Sequence, residues 1–248
     1  MKPVDLEQAI EVFVRGFAFT RCFTHPFTVE QVEGLWRLHD APRARSKACR
    51  VEEWVGHGVR PEEVDRIARQ HCRGRFAVSF IRSPAEPPGP IRDAFKRLGY
   101  RLNSTEPLLV HCLRRIPQTE SPVEIVRVRT RELADQFGRT WHQRPLTDAQ
   151  LRSDAPLRQY VAQEGGDIVG AVRSVASGAG SWVANLYVMT LHRRRGIGRA
   201  LLCRLLREER RRGVAVSVLL ASRLGAPLYT AVGYENIGEL LLFTPRRG

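Results

Sequence analysis

The chain has 248 residues, of which 43% are hydrophobic and 27% charged, and it carries a formal net charge of +14 with a pI near 10.6. Such a composition fits a soluble globular protein of one large or two small domains. No apolar run reaches the length of a membrane span, and the basic excess favours polyanions: nucleic acid, an acidic surface or a phosphate-rich cofactor.

The N-terminus, MKPVDLEQAIEVF, carries Asp5, Glu7 and Glu11 and has no apolar signal core, so a cytoplasmic protein is predicted. The segment RGFAFTRCFTHPF that follows is rich in aromatics, with Arg15, Arg21 and His25, and reads first as core and second as a substrate pocket. The five cysteines, Cys22, Cys49, Cys72, Cys112 and Cys203, are scattered and form no CxxC pair. They read as reduced thiols, and neither a zinc ribbon nor any other metal site is expected. In EEWVGHG, Gly56 and Gly58 stand one residue apart, with Glu53 and Trp54 ahead of them.

Residues 76–110 line up with 214–243. Phe76-Ala77-Val78-Ser79 matches Val214-Ala215-Val216-Ser217, Phe95-x3-Gly99-Tyr100 matches Tyr229-x3-Gly233-Tyr234, and Glu106 matches Glu239. A Pro-rich insertion accounts for the length difference, and a degenerate internal duplication is the simplest reading. RRIPQTESP (114–122) is a polar stretch with two prolines and reads as a linker.

Beyond it the pattern is regular. VEIVRVRT (123–130) alternates as a strand does, and RELADQFGRTWHQ (131–143) is helical. Thr147 or Asp148 is a candidate N-cap of a short helix. RQYVAQ, DIVGAVRSVA and SWVANLYV read as three successive strands. GRALLCRLLREERRR follows as a helix with Ala200, Leu201, Leu202, Leu205 and Leu206 on one stripe, and Gly213 marks its stop. VAVSVLLA (214–221) is a buried strand, GAPLYTAV a short helix with Pro227 in its first turn, and YENIGELLLFT the last strand or pair. The order β-α-α-β-β-β-α-β-α-β describes a mixed α/β domain.

The junction YVMTLHRRRGIGRALL (187–202) carries the chemistry. A strand that ends in a Gly-rich turn at a helix start offers free backbone N–H groups and the positive end of a helix dipole, which together bind phosphate. Gly196 and Gly198 leave the backbone open, and Arg193, Arg194, Arg195 and Arg199 surround it with charge. The stretch has no GK[ST], so it is not a Walker loop. Leu201 stands where a dinucleotide fingerprint needs its third glycine.

Val188-x4-Arg193-x2-Gly196-x-Gly198 resembles the acetyl-CoA motif of the GNAT superfamily, the acyl-CoA-dependent N-acyltransferases. PLYTAVGY resembles that family's Leu-Tyr-x-x-x-Gly-Phe/Tyr segment. The resemblance covers about half the chain, residues 123–243. It implies a GNAT-like α/β fold with a mixed sheet, in two tandem halves: a degenerate domain over 1–115 without a cofactor site, a linker over 116–122, and a catalytic domain over 123–248.

It also implies an N-acetyltransferase that moves acetyl from acetyl-CoA to an amine of a small molecule or a protein. The main chain of Leu186, Tyr187 and Val188 would pair with the pantetheine arm. The loop Arg193, Arg194, Arg195, Gly196, Ile197, Gly198 and Arg199 would hold the pyrophosphate, with Ser222 also on the cofactor. Tyr229 would protonate the departing thiolate. Two positions depart from the family pattern: Ser222 replaces an asparagine, and Ser217 stands where some members keep a glutamate base. Glu239, Asp154 and His142 remain as candidate bases, each also readable as a surface or packing residue. Phe95, at the position matching Tyr229, has no proton to give. The other readings are a CoA-binding sensor without catalysis and an Arg-rich nucleic-acid-binding protein. The latter would need basic residues interleaved with exposed aromatics on one face.

Overall fold

A computed structural model of the protein describes residues 4–21, 25–41 and 50–246. Cys22 and Cys49 lie outside the described residues; Cys72, Cys112 and Cys203 are unbridged. The chain divides into two compact units. One holds residues 5–109, 220–224 and the chain from Asn236 onward; the other holds 110–219 and 225–235.

The first unit contains α1 (Leu6–Arg21), β1 (Thr28–Val32), β2 (Leu35–His39), β3 (Glu52–Gly56), α2 (Pro61–His71), β4 (Phe76–Arg82), α3 (Pro88–Arg97) and most of β5 (Tyr100–His111). β1, β2 and β3 are antiparallel neighbours, whereas β3 and β4 run parallel with α2 as their crossover. The strand order continues β4-β11-β5, where β11 (Glu235–Pro245) is the last strand of the chain. β11 pairs antiparallel with β4, from Glu239 opposite Arg82 to Phe243 opposite Val78. By sequence order β11 closes the C-terminal half, yet it is built into this unit.

An aromatic core explains that placement. Phe95 is fully buried, with its ring 4.2 Å from Phe243 and 5.5 Å from Phe80. Offset stacked and edge-on aromatic pairs add about 0.5–1.5 kcal/mol each beyond the area they bury. Arg82 donates to Glu239 Oε2 at 2.7 Å, so one of the three candidate bases is committed to an ion pair within this unit. Phe27 of the aromatic N-terminal segment is buried, as is Phe13 just before it.

The second unit contains β6 (Glu124–Arg127), α4 (Arg131–Thr140), α5 (Asp148–Leu151), β7 (Leu157–Glu164), β8 (Asp167–Ser177), β9 (Gly180–Val188), α6 (Ile197–Arg211), β10 (Val216–Leu220, the last residue lying outside the unit) and α7 (Ala226–Val232). The strand order is β10-β9-β8-β7-β6. β6 to β9 form an antiparallel meander, and β9 and β10 run parallel with α6 as crossover. Thr130 caps α4 by accepting from Leu133 N–H. Thr147 opens α5, its N–H held by Gln150 Oε1 at 2.9 Å. The stripe read on α6 is buried, and Gly213, at φ +74°, follows its end as a left-handed stop.

The duplication read between 76–110 and 214–243 corresponds to two β-α-β units, β4-α3-β5 and β10-α7-β11. Gly99 and Gly233 both have positive φ, +84° and +107°, at matching ends of α3 and α7. Tyr100 and Tyr234 after them are both buried. Tyr100 donates to Asp65 Oδ1 at 2.7 Å, and the Tyr234 hydroxyl lies 2.8 Å from Ser217 Oγ.

One buried ion cluster fixes α6 on the sheet. Arg158 of β7 donates to both Glu209 oxygens at 2.8 and 3.0 Å, and Ser174 of β8 donates to Oε1 at 2.7 Å. Glu209 is fully buried. Removing one member of a buried pair leaves a desolvated charge without its partner, at a cost of about 3–5 kcal/mol. Glu209→Gln is therefore expected to lower the urea midpoint of unfolding steeply. A change below about 1 kcal/mol in urea denaturation would show that this cluster does not hold the helix.

Candidate functional site

The site grows from the way β9 leaves its neighbours. β9 pairs with β10 only at Gly180, Ser181 and Trp182, opposite Val216, Ser217 and Val218. It then continues to Val188 with no partner on that side among the described residues of the unit. On its other side the register with β8 shifts: Tyr187 faces Ala171, but Ala184 faces Arg173. Asn185 and Leu186 thus stand opposite Val172 alone, and Asn185 takes φ +55°. A bulge of this kind leaves its extra residue outside the ladder and bends the strand. The result is a cleft edged by the backbone of residues 184–188, where β10 no longer pairs with β9.

The corresponding strands of the other unit stay closed. β3 and β4 pair along all five residues of β3, from Glu52–Phe76 to Gly56–Phe80, and β2 meets β3 without a shift. A Cβ at Gly56 would sit 3.2 Å from Val64 and 3.3 Å from Leu35, so side chains already fill that place. Glu53 and Trp54 are buried in β3 itself, not in a loop before a helix. The acids that face the start of α2 are Glu62 and Glu63 in its first turn, behind Pro61. Carboxylates there occupy the dipole end that an anion would need.

At the far end of β9 the chain makes a single 3-10 turn, Thr190–His192, and enters α6 through Gly196. Arg194 and Gly196 both have positive φ, +64° and +83°. Left-handed residues alternating with others turn successive N–H groups to one side, a nest that accepts anions. Next to it, Ile197, Gly198 and Arg199 begin α6, where N–H groups have no partner inside the helix.

The four arginines differ. Arg195 donates to Glu164 Oε2 at 2.9 Å, and His192 Nδ1 lies 2.9 Å from the same oxygen. The Arg195 guanidinium, with His192 beside it, holds the Glu164 carboxyl below its ordinary range. Arg195 therefore braces the loop. Arg193 donates from Nε to Val188 O at 3.0 Å and lies 5.3 Å over the Tyr187 ring. Arg194 and Arg199 are exposed, with no carboxylate partner among the described residues.

Tyr229 lies on α7, 5.8 Å from the Tyr234 ring in an edge-on arrangement. Burial pushes its phenol up to about 12. Its hydroxyl has no hydrogen-bond partner among the described residues. Ser217, the position of a base in some GNAT members, is buried against the Tyr234 hydroxyl. Ser222 lies in the 220–224 segment that groups with the first unit. Asp154 is paired with Arg152 at 2.9 Å. Of the candidate bases, only His142 lines a cavity next to β9.

That cavity, of about 550 Å³, was not anticipated from the sequence. Trp141, His142 and Gln143 from the turn after α4, Arg173 from β8, and Leu186 and Tyr187 from β9 line it. Its size is that of a small-molecule site. Among the described residues no group of His, Cys, Asp and Glu could hold a metal, and no helix is long and apolar enough to cross a membrane.

The two loop glycines serve different ends. Gly196 has open space where a Cβ would be, and only its φ demands glycine. A Cβ on Gly198 would lie 3.2 Å from Leu228 Cδ2 and 3.7 Å from Val188 Cγ2. Gly198 thus brings α6 against β9 and against the helix that carries Tyr229. Gly196→Asn, a residue that tolerates left-handed φ, is expected to cost about 1 kcal/mol or less, and Gly198→Val about 1–3 kcal/mol through overpacking. Thermal melting of the two variants checks this, and the reverse order would contradict the assignment.

Residues 156–236 match the family model "Acetyltransferase (GNAT) domain". A GCN5-related N-acetyltransferase from Kribbella flavida superposes with a TM-score of 0.68 at 17% identity, covering 99% of this chain and 98% of that one. A GCN5-related N-acetyltransferase from Sphaerobacter thermophilus gives 0.55 at 19% identity, over 85% and 76%. A tandem GNAT protein from the clavulanic acid biosynthesis pathway gives 0.53 at 14% identity, over 99% and 98%. No curated protein matches the chain by sequence. The chain has the GNAT fold, and its residues 156–236 match the family's acetyltransferase domain.

Proposed function

We propose that the second unit binds acetyl-CoA in the cleft beside β9 and transfers the acetyl group to an amine. The parting of β9 from β10 after three paired residues carries this reading. An unpaired backbone edge needs donors and acceptors from elsewhere. The pantetheine arm, with two amides, supplies them as an added strand along Leu186, Tyr187 and Val188. The nest at Arg194 to Gly196 and the start of α6 then take the pyrophosphate, with Arg194 and Arg199 as its free cations. The bulge at Asn185 and Leu186 offers an N–H outside the ladder to the thioester carbonyl oxygen, where charge develops during attack.

The neutral amine attacks the carbonyl carbon, the C–N bond forms, and the C–S bond breaks to release thiolate. Complete proton transfer from a phenol at about 12 to a thiolate whose acid lies near 8.5 is uphill by on the order of 5 kcal/mol. Tyr229 therefore serves as a hydrogen-bond donor to the departing sulfur. The proton that the amine loses, passed through water or through His142, completes the thiol. A small-molecule amine fits the adjoining cavity. The unbridged cysteines fit a reducing, cytoplasmic setting.

Tyr229→Phe removes only the hydroxyl, and Phe95 at the equivalent place in the other unit shows that a phenylalanine ring suits that position. Turnover measured by thiol release is expected to fall on the order of a hundredfold, while calorimetric acetyl-CoA affinity stays within about threefold. Because Tyr229 keeps its proton up to about pH 12, the wild-type rate should show no descending limb near pH 10. Unchanged turnover, or a limb near pH 10 that vanishes in Tyr229→Phe, would remove Tyr229 from this role.

A further inference from the structure

The first unit holds a cavity of about 640 Å³ at one end of its sheet. β3 and β4 begin at that end, and β11, antiparallel to β4, finishes there. β5 starts at the same end. Arg246 N–H, just past β11, donates to Gly99 O at 2.8 Å, and Asn103 Nδ2 of β5 donates to Thr244 Oγ1 at 3.0 Å. The topology thereby gathers Arg75, Arg101 and Arg246, far apart in sequence, around one space. The volume is that of a small-molecule site.

The three arginines are anchored but not neutralised. Arg75 O accepts from Glu52 N–H at 2.9 Å, and the Arg246 backbone is held by its bond to Gly99. Arg101 donates from Nε to Asn103 Oδ1 at 3.0 Å, a neutral acceptor. All three residues are exposed, and none of the residues lining the cavity is acidic. Elsewhere in the unit, Arg37, Arg50, Arg66, Arg69 and Arg82 each meet a carboxylate at 2.5–2.9 Å. Glu52, the acid next to Val51 of the lining, is buried and held by Arg37 at 2.9 and 3.2 Å. It therefore offers these three arginines no counter-charge.

Cations that line one concave surface repel each other, and the protein wall focuses their summed field into the space. An anion with several charges relieves that repulsion. Guanidinium forks match phosphate oxygens in paired hydrogen bonds, and three forks exceed what a single anionic group engages. Val51 and Phe76 give the cavity an apolar wall for an organic body. A nucleic-acid strand would need exposed rings to stack on, and Phe76 is only 8% exposed. We propose that this cavity is an anion site separate from the one beside β9, and that it binds a small molecule carrying two or more phosphate groups. The assignment does not depend on the transfer reaction.

Calorimetry on the full chain tests it, with tripolyphosphate and ATP as probes and inorganic phosphate and adenosine as controls. Both probes are expected to bind about tenfold or more tightly than inorganic phosphate, and adenosine not at all. Because the nest before α6 also attracts phosphate, two double variants locate the binding. Arg75→Gln/Arg101→Gln is expected to weaken both probes by about tenfold or more. Arg194→Gln/Arg199→Gln should leave a binding event of unchanged affinity. The substituted residues are exposed, so the melting temperature of either variant should hold. Binding that survives in Arg75→Gln/Arg101→Gln, or that disappears entirely in Arg194→Gln/Arg199→Gln, would overturn the assignment. So would the absence of any binding by tripolyphosphate and ATP. A short DNA duplex that binds more tightly than ATP and is released by Arg75→Gln/Arg101→Gln would overturn the small-molecule reading in favour of nucleic acid.

Discussion

Everything at the site depends on one break in a sheet. Parallel strands joined by a helix normally pair along their shared length, because each unpaired N–H or C=O forfeits its partner. β3 and β4 obey this, and β9 and β10 do not. The break is held open from both sides. On one side, the bulge at Asn185 and Leu186 turns β9. On the other, α6 is fastened by Glu209 to Arg158 of β7 and Ser174 of β8. The helix start is thus fixed by contacts that do not depend on any ligand.

Charge around the helix start is arranged, not merely abundant. Glu164 consumes Arg195 and locks the 3-10 turn, and Arg193 lies along the strand end over Tyr187. Two arginines stay free for a polyanion. The closed unit shows the opposite arrangement in the same local topology: a proline and two glutamates at its helix start, and side chains packed over its glycine. One β-α-β plan therefore yields a receptive edge in one case and a packed interior in the other. The difference lies in a bulge, a few charges and one aromatic residue, Phe95 against Tyr229.

Much of this was legible in the sequence because it is local. The strand–turn–helix at 187–202, the buried stripe of α6, the stop at Gly213 and the turn glycines Gly99 and Gly233 each follow from residues a few positions apart. The β-α-β repeat was visible for the same reason. What the sequence withheld is non-local. The placement of β11 depends on Phe243 stacking on Phe95, far away in the chain. Arg195 is indistinguishable from Arg194 until Glu164 is seen beside it. Gly198 was read as room for phosphate, yet its empty space belongs to Leu228. The cavity needed Arg173 of a strand and Gln143 of a distant turn to meet. The acids at the start of α2 were within reach of local reading, since Pro61-Glu62-Glu63 is a recognisable helix start.

The central claim is that acetyl-CoA enters the open edge of β9 and not the closed pair β3–β4. Amide hydrogen exchange with and without acetyl-CoA tests it directly, because a ligand that pairs with backbone slows exchange where it binds. The account predicts slowed exchange over 184–199 and none over 52–63. Protection centred on 52–63, or no protection over 184–199 at saturating acetyl-CoA, would contradict it.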